Sequence, residues 1–157
     1  TIGAFYEAHM ELLGPDAPFR FDDNRWPIFT RARFLPCARI SGTRIDRSLI
    51  AEGTRLEDCE VSGSIIGIRS IARDAVIRDS FIVGVDPRYP ELEGPPVGIG
   101  AGTHISTAII DKNARIGCNV RLVNEAGVRE ASGDGWVIKD GVIVVPKNGI
   151  IPDGTVV

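Results

Sequence analysis

Residues 99–122 read IGAGTHISTAIIDKNARIGCNVRL, and the aliphatic residues Ile99, Ile105, Ile110, Ile116 and Leu122 recur there at steps of 6, 5, 6 and 6. An amphipathic helix needs steps of 3 and 4, and a half-buried strand alternates every second residue. A step near six is the hexad of a parallel β-helix, in which each side of a three-sided coil is a short strand followed by a tight turn. One aliphatic side chain per side then points at the axis. Gly100, Gly102 and Gly117 fall where corners belong, and a crowded or left-handed corner favours a residue without Cβ.

The same ladder runs earlier through Ile40, Ile45, Ile50, Leu56, Val61, Ile66, Ile71, Ile77 and Ile82. Three consecutive steps sum to 16, as from Ile40 to Leu56 or Ile50 to Ile66, so neighbouring coils stack at that offset. Ser48, Thr54, Cys59, Ala75, Thr103 and Ala114 are small enough to fill the narrow interior between the aliphatics. A β-sandwich of short strands is the competing fold, but its strands would alternate every two residues. The offset puts Glu57 on Arg73, an exposed ion pair worth about 0–1 kcal/mol. It also puts Arg39 on Arg55, a like-charge pair that is either two solvated arginines or an anion-binding surface.

The chain has 157 residues, 43% of them hydrophobic, enough for one domain with an appendage. A formal net charge of -3 argues against a nucleic-acid partner. No apolar run approaches the length of a membrane span, so no membrane partner is expected. Cys37, Cys59 and Cys118 are widely separated, without a C-x-x-C pair, which reads as a reduced, intracellular chain with no structural zinc. Cys59 and Cys118 fall on interior or corner positions and read as filler.

Thr1 caps an amphipathic helix carrying Ile2, Phe5, Tyr6, His9, Met10, Leu12 and Leu13, which Gly14-Pro15 stops. Its apolar face needs a cover, either the solenoid end or an upstream domain, and His9 reads as packed between Phe5 and Leu13. The opening on Thr1 rather than Met reads as a piece of a longer protein. Residues 15–38 form an extended connector in which prolines alternate with Phe19, Phe21, Trp26, Ile28 and Phe34, and the aromatics are expected to strap it to a surface. The β-helix occupies 39–157. The proline- and glycine-rich GVDPRYPELEGPPVG (84–98) interrupts it as a loop excursion, and a second excursion spans 123–150. Within the latter, residues 136–145 form a hairpin turning at Asp140-Gly141, the pair that two-residue hairpin turns favour.

No phosphate-cradling loop, nucleophile elbow or H-E-x-x-H stands in the chain. His104 occupies the kind of place at which hexapeptide-repeat acyltransferases using acetyl-CoA keep a general base, although a solvated corner explains it better. A cationic group is more informative. Lys112 and Arg115 lie in the second ladder, and Lys147 approaches Lys112 if the hairpin packs along the solenoid. Converging cations take an anion with several oxygens, whereas the residues alone favour dispersed solubilising charge.

IIDKNARIG (109–117), GVIVVPKNGIIPDGT (141–155), SIIGIRS (64–70), WPIFT (26–30) and TIGAFYEAHMELL (1–13) resemble the C-terminal part of glucose-1-phosphate adenylyltransferase, the ADP-glucose pyrophosphorylase family, in its cyanobacterial and plant type. The likeness runs in order through essentially the whole chain. It implies a mainly β fold, a left-handed parallel β-helix with an N-terminal helix and an inserted hairpin near the C-terminus. It implies that 1–14 is the last helix of a catalytic domain absent here, and that this piece alone is inactive. The full enzyme would make ADP-glucose and pyrophosphate from ATP and glucose 1-phosphate with Mg²⁺, for glycogen or starch synthesis, in cytoplasm or plastid. No cofactor is expected on this piece. The family's activator lysines match Lys112 and Lys147, implying an allosteric site for a sugar phosphate or phosphoglycerate, and the domain helps build a homotetramer. Ser106, Thr107, Pro146, Gly149 and Cys37 depart from the family pattern, which leaves the effector open among 3-phosphoglycerate, fructose 6-phosphate and fructose 1,6-bisphosphate. A purely structural assembly module is the alternative role.

Overall fold

The structure is a computed structural model that describes residues 1–21, 23–29, 32–91 and 93–157. Thr30, which closes WPIFT, and Leu92, in the first excursion, lie outside the described residues. Five coils wind in chain order. The first holds β1 (Arg39–Ser41), β2 (Arg44–Asp46) and β3 (Leu49–Ile50), and the second β4 (Arg55–Glu57), β5 (Glu60–Ser62) and β6 (Ile65–Ile66). The third holds β7 (Ile71–Arg73), β8 (Val76–Arg78) and β9 (Phe81–Ile82), and the fourth β10 (Gly98–Ile99), β11 (His104–Ser106) and β12 (Ala108–Ile110). The fifth opens with β13 (Arg115–Ile116) and β14 (Arg121–Leu122), leaves as β15 (Glu130–Gly133) and β16 (Trp136–Lys139), and returns as β17 (Val142–Val145) before β18 (Ile150–Ile151). Three parallel sheets result, ordered β1-β4-β7-β10-β13-β18, β14-β11-β8-β5-β2 and β17-β12-β9-β6-β3, with β15 and β16 added antiparallel to the last.

The offset of 16 holds through the first three coils, where Arg39 faces Arg55, Val61 faces Ile77 and Ile66 faces Ile82. In the second block Ile99 faces Ile116 and Ile105 faces Leu122, an offset of 17 that follows from the extra six-residue step. The axis is filled by Leu56, Val61, Ile66, Ile77, Ile105, Ile116, Leu122, Ile143 and Ile151, each at most 1% exposed. Burying each of these side chains contributes about 1.5–3 kcal/mol. One rung of the expected ladder is displaced. Ala72, not Ile71, faces Leu56 and is buried, while Ile71 faces Arg55 and points outward. A shift of one residue changes the face of a strand, and here the smaller neighbour faces the axis while the more hydrophobic one faces out.

Corners are closed by small polar groups. Ser48, Ser64 and Ser80 form a column in which each hydroxyl accepts from the backbone N–H one coil on, at Ser64, Ser80 and Ala108, over 3.1–3.2 Å. Buried Thr103 donates to Gly117 O at 2.9 Å and accepts from Val120 N. Gly102 sits at φ 71, whereas Gly117 serves by closeness, since a Cβ there would lie 2.6 Å from Asp153 N.

The helix α1 (Ile2–Met10), capped by the Thr1 hydroxyl, lies on the flank of the solenoid rather than over its end. Gly3 N donates to Asp140 Oδ2 at 3.0 Å, Tyr6 Oη to Asp79 O at 2.6 Å, and the His9 ring stacks on Phe81 at 4.4 Å. His9 is thus a packing residue, as expected. The hydrogen bond from Gly3 N holds the Asp140 carboxyl below its ordinary pKa, whereas burial and then repulsion from Asp79 raise the Tyr6 phenol. The first coil stays open. Ile40 and Ile45 continue the buried columns yet are 43% and 37% exposed, because no described element covers them, and Leu49, on the outward side of β3 opposite Ile65, is 36% exposed. The connector aromatics are exposed too, with Trp26 at 77%, Phe29 at 91% and Phe34 at 95%, so they do not strap it to the solenoid.

The hairpin turns at Asp140 and Gly141, with φ of 56 and 84, as the sequence predicts. It has a third strand, β15, joined to β16 through a second Asp-Gly pair, Asp134-Gly135. Its return strand β17 pairs in parallel with β12 and is itself a side of the last coil. The departure from the solenoid therefore ends at the Asp140-Gly141 turn, short of the expected 150.

Candidate anion site at one corner of the prism

Lys112 and Lys147 stand on adjacent coils at the same corner. Ala108 faces Ile143 and Ile116 faces Ile151, an offset of 35, which is also the separation of the two lysines. Each is followed by an asparagine that the corner holds in the left-handed region, Asn113 at φ 61 and Asn148 at φ 59. Asn148 N donates to Lys112 O at 2.8 Å, which locks the two turns together. The doubled Lys-Asn is a stacked repeat, hidden in the sequence by the strands inserted between its copies.

Both ammonium groups face one carboxylate. Lys112 Nζ lies 3.5 Å from Asp86 Oδ1 and Lys147 Nζ lies 3.7 Å from Asp86 Oδ2. Asp86 belongs to the first excursion, and buried Asn113 sets its place. Asp86 N donates to Asn113 Oδ1 at 2.8 Å, and Asn113 Nδ2 donates to Asn148 Oδ1 at 3.1 Å and Asp86 Oδ2 at 3.4 Å. Partial burial pushes the Asp86 carboxyl up, but the Asn113 hydrogen bond and the two lysines together outweigh it, and its pKa falls below the ordinary value. The two ammonium groups share the Asp86 carboxylate and keep protons to spare, while a second carboxylate, Asp111, accepts from Lys112 N through Oδ1 at 2.6 Å, so the corner is balanced in charge.

Arg115, read from the sequence as a third cation, is 6% exposed and committed elsewhere. Its guanidinium donates to Pro95 O at 2.9 Å and Pro90 O at 3.0 Å and lies over the Tyr89 ring. It anchors the excursion that carries Asp86, so it acts on the corner through the loop. Asp86 and Asn113 are the residues that spacing alone did not single out. His104 sits on the exposed face of β11, its Nδ1 3.5 Å from Arg121 Nη1. Cys59 is buried, and burial raises its thiol pKa, while Cys118 is exposed at a corner and so is not interior filler. Among the described residues, no three His, Cys, Asp or Glu side chains gather as a metal-ligand set.

A protein-family model described as the GLGC left-handed parallel β-helix domain matches residues 33–156. The matched stretch covers all five coils and the corner built by Lys112, Asn113, Lys147 and Asn148. With three parallel sheets, inward aliphatic columns and this match over most of its length, the chain belongs to the family of the C-terminal β-helix domain of glucose-1-phosphate adenylyltransferase, a nucleotidyltransferase.

Proposed function

We propose that this domain regulates the parent enzyme, which forms ADP-glucose and pyrophosphate from ATP and glucose 1-phosphate with Mg²⁺, by receiving an anionic effector on Lys112 and Lys147. The convergence of both ammonium groups on Asp86 carries this reading. The corner already receives one carboxylate, that of Asp86, on two ammonium groups. Lys147 is exposed and so screened, and the preference for a multi-oxygen anion such as a sugar phosphate or phosphoglycerate rests on two ammonium groups held side by side by the fixed asparagines. Asp86 acts as the resident competitor. The test is activation of the intact enzyme carrying Lys112→Glu or Lys147→Glu. The effector concentration for half-maximal response should rise tenfold or more, and wild-type values in both variants refute the assignment.

Assembly is a second role, supported by the exposure of Ile40, Ile45 and Leu49 on the open first coil. Unpaired strand edges and an open core end call for a partner, and a second copy of this chain is the occupant we assign. Light scattering of an Ile40→Glu/Ile45→Glu variant should show a smaller particle than wild type. An unchanged mass removes this face from assembly.

A further inference from the structure

Arg39, Arg55 and Arg69 line one groove of about 650 Å³ on the flank below the first excursion. Arg39 and Arg55 stand directly opposite on β1 and β4, and Arg69 occupies the left-handed corner before β7 at φ 56. Its stem crosses Gly53 of the preceding coil, where a Cβ would lie 3.3 Å from Arg69 Cγ, and its Nη1 reaches Val85 O at 3.5 Å. Like charges opposite each other in a sheet are unfavourable. Other stacked or diagonal pairs on this solenoid are of opposite charge, as Glu57 with Arg73 and Glu60 with Arg78, though Asp58 and Asp74 also share one corner. Among the described residues none of the three arginines has a carboxylate partner. Asp86 lies on the groove wall, but its oxygens are turned to Lys112 and Lys147.

The chemistry left open is specific. Three guanidinium groups present forked donors that match phosphoryl oxygens two at a time. Leu35, Ile71 and Tyr89 give the groove an apolar side, and its volume falls in the range of small-molecule sites. The Tyr89 wall is held by Arg115, so that side is formed in advance. We propose that this groove binds a phosphorylated small molecule through Arg39, Arg55 and Arg69, as a site separate from the Lys112–Lys147 corner with Asp86 as the partition.

The test is calorimetric titration of the intact protein with phenyl phosphate and with inorganic phosphate. Arg39→Gln/Arg55→Gln should weaken one phenyl phosphate equivalent at least tenfold. Arg39→Lys/Arg55→Lys, which keeps the charge without the fork, should weaken it less. Lys112→Gln/Lys147→Gln should leave that equivalent in place, and phenyl phosphate should bind more tightly than phosphate there. All these positions are on the surface, and unchanged circular dichroism will confirm that each variant folds. Wild-type stoichiometry and affinity in Arg39→Gln/Arg55→Gln overturn the proposal. So does loss of the same equivalent in the lysine variant, which would make the two places one site.

Discussion

Arg115 lies over Tyr89, its guanidinium carbon 5.9 Å from the ring centroid, while its nitrogens hold the carbonyls of Pro90 and Pro95. A buried cation thus ties the excursion to the fifth coil, and the excursion in turn presents Asp86. Arg115→Met fills similar space without donors. Loss of charge-assisted hydrogen bonds should lower the local stability of 84–97 by about 3 kcal/mol. Amide exchange of those residues measures it, and unchanged protection there would contradict the anchoring role.

The register of the core makes an unequal pair of predictions. Ile77 is fully buried between Val61 and Ile105, so Ile77→Ala should cost about 2–5 kcal/mol, the range for emptying a tightly packed site. Ile71 points outward beside Ala72, and Ile71→Ala should cost about 1 kcal/mol, nearer the usual effect of a partly exposed residue. Urea unfolding midpoints of the two variants compare them directly. An equal loss, or a larger one at Ile71, would restore the rejected register.

The lowered pKa of Asp86 gives a pH dependence of known sign. A carboxyl whose folded pKa lies below its unfolded value stabilises the fold above the unfolded value, about 4. That contribution fades as pH falls through the lowered folded value. Amide protection in the excursion should therefore drop as pH falls below about 4, and the drop should be smaller in Asp86→Asn. The same acid profile in both proteins would mean that Asp86 does not hold the loop.

The three thiols should separate by burial. Cys37 and Cys118 are exposed, while Cys59 is buried and its Sγ lies 3.2 Å from Glu57 O. Burial raises the Cys59 pKa and so lowers its thiolate fraction, which slows alkylation further. Mass spectrometry of iodoacetamide-treated native protein should find Cys37 and Cys118 modified first, with Cys59 reacting only after unfolding. Early modification of Cys59 would show that its coil opens.

The aliphatic columns were legible because a β-helix writes its core as a one-dimensional period, and Leu56, Ile66, Ile105 and Ile116 all fall inside. The period fails where side-chain size and orientation disagree, as at Ile71 and Ala72. It says nothing of partners brought by excursions, so the lysines could be named but Asp86 could not. Charge counting had the same limit at Arg115, whose burial depends on how 84–97 folds back. The connector aromatics were expected to strap a surface, but within this chain Trp26 and Phe34 stay exposed. A hairpin turn at Asp140-Gly141 is readable, and both residues take positive φ there, whereas at Asp134-Gly135 only the glycine does and the signal is lost beside Gly133 and Ser132.

The most direct measurement is the effector response of the intact enzyme in two variants of opposite charge effect. Lys112→Glu replaces attraction by repulsion at the corner, whereas Asp86→Asn removes the resident competitor. Half-maximal activation should need at least tenfold more effector in the first and less than wild type in the second. Half-saturation that moves in the same direction in both, or in neither, would contradict a regulatory anion site at this corner.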